Sequence, residues 1–184
     1  QKRKSPGNEF TFALNLKNTD KINRFFRTKP LLSEKSTVEG ELYQDSIFRV
    51  KARAKNLNYR NNILNDLEID AEYAESKFRA DLKSSGLSIF GQQELKDFRI
   101  GFYTRTDNFQ FRIGWDNREL IASKGEFIAR GAFIKKDNGQ SGSLLKIDID
   151  SSDIYNKNNL WKIRQSVITI DSNITPIDRF VVAS

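Results

Sequence analysis

Apolar and polar residues alternate with a period of two along most of this chain. Phe10, Phe12, Leu14 and Leu16 fall on one side of an extended segment, with Thr11, Ala13, Asn15 and Lys17 on the other, the pattern of a half-buried β-strand. It returns where Phe48, Val50, Ala52 and Ala54 oppose Arg49, Lys51, Arg53 and Lys55, and where Leu67, Ile69, Ala71 and Tyr73 oppose Glu68, Asp70 and Glu72. Later apolar sets are Phe78, Ala80, Leu82; Phe98, Ile100, Phe102; Phe109, Phe111, Ile113, Trp115; and Phe127, Ala129, Phe133. Leu145, Ile147 and Ile149 follow, then Trp161 with Ile163, Ile168 with Ile170, and a last segment holding Phe180 and Val182. Turn-forming residues punctuate these runs at Ser84-Ser85-Gly86, Asp107-Asn108, Asp116-Asn117, Asp137-Asn138-Gly139 and Asn156 to Asn159. The pattern predicts an all-β fold, a meander of about ten antiparallel strands.

Helical spacing occurs once. Thr19 or Asp20 can cap a segment in which Ile22, Phe25 and Phe26 share a face, and Pro30 stops it. One short amphipathic helix is expected over about residues 20–28. Residues 1–8, with Lys2, Arg3 and Lys4, read as a flexible basic lead-in, and 9–184 as a single β-rich segment.

An alternating sheet has one apolar face, and something must cover it or use it. A helix of about two turns cannot cover some ten strands extending about 45 Å at ~4.8 Å spacing. Either the sheet closes on itself as a sandwich or barrel, or it curls and leaves a groove for a ligand. The groove would be lined by Phe12, Leu14, Phe48, Val50, Leu67, Ile69, Phe78, Phe98, Ile100, Phe102, Phe109, Phe111, Ile113, Phe127 and Phe133. In the closed form, loops such as 136–142 would recognise glycan or protein.

Charge changes the picture little. The 184 residues hold 31 basic and 24 acidic side chains, a net +7, which raises nucleic acid or an anionic membrane as a partner. Here aromatics and cations lie on opposite faces, whereas a single-strand binder interleaves them so that bases stack while phosphates are neutralised. If the second and third of these runs pair as neighbours, Arg49, Lys51 and Arg53 meet Glu72, Asp70 and Glu68 across the ladder. Nucleic acid is therefore not expected as a partner.

Candidate chemistry is sparse. The chain has no His, Cys or Met, which removes disulfides, thiolate nucleophiles, zinc fingers and Ser-His-Asp machinery. Phosphate-binding and calcium loops are absent as motifs. Asp148 and Asp150 are a pair at i and i+2 on one strand face that could hold a metal or divide acid and base roles, but a solvated pair is the plainer reading. Asn173-Ile174-Thr175 is a weak glycosylation sequon, and Trp115 and Trp161 read as packing anchors. We expect no enzyme, no cofactor and no metal. A chain opening at Gln1 without methionine is expected to be a segment of a longer protein.

The order of features carries a resemblance. An opening Phe-x-Phe-x-Leu-x-Leu strand leads to the segment with Ile22, Phe25 and Phe26, then to Val38-Glu39-Gly40 and serial amphipathic hairpins, closing on Trp161-Lys162-Ile163 and Ile168-Thr169-Ile170. In this the chain resembles the TamB (translocation and assembly module) family of the AsmA-like superfamily, in its Bacteroidetes form. The resemblance implies a periplasmic segment of a protein anchored in the inner membrane, built as a curled "β-taco" with an apolar interior. It also implies an Omp85-type outer-membrane partner and a role in outer-membrane assembly, protein secretion or phospholipid passage. Lipid acyl chains or unfolded outer-membrane β-strands would be the cargo. Neither the anchor nor the partner-docking end is recognisable in these residues.

Overall fold

A computed structural model describes residues 9–17, 31–32, 35–43, 46–91, 93–118, 123–135, 143–156, 159–171, 177–178 and 182–183. These residues form one antiparallel sheet of fifteen strands. The strands are β1 (Phe10–Leu16), β2 (Leu31–Leu32), β3 (Ser36–Tyr43), β4 (Ile47–Tyr59), β5 (Asn62–Ala74), β6 (Lys77–Ile89), β7 (Gln93–Arg105) and β8 (Asn108–Asp116). They continue as β9 (Lys124–Lys135), β10 (Ser143–Ile149), β11 (Ser152–Asn156), β12 (Asn159–Ile163), β13 (Ser166–Ile170), β14 (Ile177–Asp178) and β15 (Val182–Ala183). No helix occurs among the described residues, and the helix expected at Ile22, Phe25 and Phe26, like the basic lead-in over 1–8, lies outside them.

The main path runs β1-β3-β4-β5-β6-β7-β8-β9-β10-β13-β14, so almost every strand pairs with its neighbour in sequence. Tight turns enforce this. Arg60 and Asn61 are both left-handed between the paired residues Tyr59 and Asn62, and Glu75 and Ser76 do the same between Ala74 and Lys77. Two consecutive left-handed residues match the natural twist of a hairpin. The path ends, β1 and β14, do not pair with each other, so the sheet is long, curled and open. The closed sandwich or barrel is not what this chain forms. Ten steps at ~4.8 Å give a sheet about 48 Å across its strands. Its accessible surface is 14092 Å², against roughly 9,000 Å² for a compact monomer of this mass.

One line of irregularity crosses the central strands. The ladders skip Lys55 opposite Asp66, Asp66 opposite Ser85 and Ser85 opposite Asp97. Asp66 and Asp97 are left-handed there (φ 47 for each), a conformation that Asp tolerates better than most residues. The Ser84 hydroxyl lies 2.6 Å from the Asn65 carbonyl and 2.8 Å from that of Gly86, while Ser85 donates to Asp66 Oδ2 at 2.8 Å. The serines thus satisfy polar groups where the ladder is interrupted. Ser84-Ser85-Gly86, expected as a turn, lies inside β6. The turn itself comes later, at left-handed Phe90 and Gly91.

Candidate functional site

All fifteen residues expected to line a groove lie on one face. Directly opposed residues of an antiparallel pair share a face, so the registers can be followed across the sheet. One row runs Phe12, Gly40, Val50, Ala71, Ala80, Phe102, Phe111, Ala129, Ile149. The next runs Leu14, Val38, Ala52, Ile69, Leu82, Ile100, Ile113, Phe127. On the other side of the first lies Phe48, Tyr73, Phe78, Thr104, Phe109, Gly131, Ile147. Leu67 pairs with Ala54, Phe98 with Ser84 and Phe133 with Leu145, which puts the remaining three on the same side.

Depth varies systematically across this face. In the row beside the interrupted ladder, Ser36, Ala54, Leu67, Ser84 and Phe98 are all buried, Leu67 to 4% exposure and Phe98 to 7%. Phe48, Tyr73 and Phe133, at the far side, are 41%, 43% and 53% exposed. A flat single-layer sheet would expose both rows alike. The apolar face is therefore graded in depth, a furrow in profile that is most sheltered along the interrupted line, the crease, and most exposed at its far side. Beyond the crease a second row aligns Leu57, Leu64, Leu87 and Leu95 across four strands, with Leu95 buried. Three positions separate Leu64 from Leu67 and Leu95 from Phe98, so the alternation changes phase between them, and a left-handed Asp stands at each change.

This leucine row was not anticipated from the sequence. Its signal was four leucines out of phase with their strands, each at a similar distance from a hairpin turn.

Aromatic rings floor the furrow. A Cβ built on Gly40 would collide with the Phe12 ring, one on Gly131 with Phe109, and one on Gly125 with Trp115. In each case ring and glycine are directly paired across the ladder, so the rings lie flat over bare backbone. Rings over glycines recover apolar contact that glycine alone cannot make. Phe78, Phe102, Phe109 and Phe133 then continue as a series of tilted ring pairs across four strands, with centroids 6.2, 6.1 and 6.4 Å apart, within the favourable range for aromatic pairs.

At the C-terminal end the furrow is filled by the chain itself. Ala129, Ile149 and Ile163 are buried together, with Phe127, Ile147, Ile154 and Ile168 packed on them. Ile163 pairs with Ser152 in the ladder, not with either partner in this cluster. The breaks between β10 and β11 and between β12 and β13 let the hairpin turn inward. Trp161 stays 41% exposed, whereas Trp115 packs on Gly125.

The opposite face is a lattice of paired charges. Arg49 donates to Glu41 at 2.8 Å and to Glu72 at 2.9 Å, and these bonds, Glu41 first, raise its pKa above the ordinary arginine value. Arg53 meets Glu68 at 3.3 Å and Arg79 meets Asp81 at 3.0 Å. Arg112 pairs with Glu126 and Arg118 with Asp97. The opposition of basic β4 to acidic β5 is realised pair by pair: Arg49 with Glu72, Lys51 with Asp70, Arg53 with Glu68. A shallow depression on this side, about 440 Å³, mixes Lys83, Arg99 and Arg112 with Asp81, Asp97, Asp116 and Glu126. That mixture presents no single sign to an anion or a cation.

The carboxylate pair is engaged structurally. Asp148 meets Lys146 at 3.3 Å and Asp150 meets Arg130 at 2.6 Å. Among the described residues no cluster of three potential metal ligands occurs. Asn173 and loop 136–142 lie outside the described residues. No family model matches the chain, and neither does any curated protein or solved structure.

Proposed function

We propose that this chain is a periplasmic segment of an inner-to-outer-membrane bridge, and that its creased apolar face shields hydrocarbon from water in transit. The cargo is lipid acyl chains or the apolar side of nascent outer-membrane strands. The observation that carries this reading is the joint placement of all fifteen residues on one face of a sheet that does not close on itself, with Phe48 and Phe133 of that face exposed. Exposed apolar patches of several residues are uncommon on a soluble monomer. An acyl chain of about 16 carbons laid along it would gain on the order of 12 kcal/mol at most, at ~0.8 kcal/mol per buried CH₂. Flat rings over Gly40, Gly125 and Gly131 present smooth aromatic surface, which suits cargo that slides. The resemblance to TamB-like proteins supplies the compartment, the membrane anchor outside these residues and the Omp85-type partner.

The test is photo-crosslinking from benzoylphenylalanine at Phe111 during expression in the periplasm of a Gram-negative host. Lipid adducts identified by mass spectrometry support acyl-chain cargo, and protein adducts support nascent strands. Ile100→Asp should abolish either adduct while the protein remains soluble. Absence of both from a folded protein would overturn the proposal.

A further inference from the structure

The outer edge of β1 points to a homotypic interface. Most edges of this sheet are blunted. β2, β14 and β15 are two residues long. The exposed edge of β7 beyond the crease is capped by Asn117, whose side chain accepts from the Lys96 N–H at 2.8 Å and donates to the Glu94 carbonyl at 3.0 Å. Short edges and capped edges are the usual protections against strand addition. β1 has neither. It runs seven residues, pairs on one side only among the described residues, and contains no charge and no proline between Phe10 and Leu16. Phe10 and Leu14 on it are 60% and 50% exposed, more than most groove residues.

The edge is also complementary to itself. We propose that two copies of this chain join through β1, antiparallel about a two-fold axis at Ala13. That register opposes Phe10 to Leu16 and Phe12 to Leu14 of the second copy on the apolar face, and Thr11 to Asn15 on the polar face. At the ends it sets Glu9 against Lys17, opposite charges on both sides of the axis. Parallel pairing in register would set Glu9 against Glu9 and Lys17 against Lys17. The antiparallel two-fold is the closed, isologous arrangement. It makes the apolar faces of the two copies continuous, and it stands whatever cargo that face takes.

The natural absence of cysteine makes the test clean. In this register the two copies of residue 13 are directly opposed, with Cα atoms about 4.5–5.5 Å apart, inside the span a disulfide needs. Ala13→Cys should therefore form a disulfide dimer under mild oxidation. Thr11→Cys alone should not, but Thr11→Cys mixed with Asn15→Cys should give the heterodimer. Adding Glu9→Lys to Ala13→Cys should cut the dimer yield several-fold, and adding Lys17→Glu as well should restore it. Circular dichroism on each variant confirms that the sheet persists. Strong Thr11→Cys self-crosslinking, indifference to the charge swap, or failure of folded Ala13→Cys to dimerise would each overturn the proposal.

Discussion

Leu67 and Phe48 belong to the same apolar face, arise from the same alternation and sit on neighbouring strands, yet one is 4% exposed and the other 41%. The difference between crease and rim shows that a period-two pattern assigns a side chain to a face and says nothing about its depth. Depth comes from where the sheet bends. At the crease a side chain is out of water and serves stability. At the rim it touches water and is available to a ligand.

The sharpest way to break this comparison is to truncate both rows. Leu67→Ala should destabilise by about 2–5 kcal/mol, as a buried leucine does when it leaves a cavity, read from the midpoint of urea unfolding at unchanged slope. Phe98→Ala belongs to the same class at about 3–5 kcal/mol. Next in size is Gly131→Ala, whose new methyl displaces the Phe109 ring at about 1–3 kcal/mol. Combining it with Phe109→Leu should recover much of that loss, so a double-mutant cycle would show strong coupling. Phe48→Ala, at the rim, should cost less than about 1 kcal/mol while weakening hydrocarbon capture. Equal losses for Leu67→Ala and Phe48→Ala would mean there is no crease. Smallest of all is Arg49→Gln on the charged face, a shift in urea midpoint that added salt removes, because exposed ion pairs are screened.

The face assignment was legible because each strand states it independently: Phe102, Phe111 and Phe127 need no knowledge of one another to be placed on the apolar side. The all-β class and the charge pairing of β4 with β5 followed from the same local rule. The crease was not legible, since Ser84-Ser85-Gly86 has the composition of a turn whether the chain reverses there or merely breaks its ladder. Only pairing to both neighbours tells the two apart, and residues in register with Ser85 lie 19 and 12 positions away, at Asp66 and Asp97. The rings over Gly40, Gly125 and Gly131 were hidden for the same reason. A glycine in a strand signals close approach, but not of what.

The Asp66–Asp97 line has a consequence for changes in chain length. Deleting one residue elsewhere in β5 would send every later side chain to the wrong face and mismatch it against two intact neighbours. Deleting Asp66 would instead join the two phases into one unbroken alternation. The surplus residues opposite it, Lys55 and Ser85, are already unpaired and would remain as bulges. The interrupted ladder is thus the position at which these strands best absorb the loss of a single codon without turning their grease toward water.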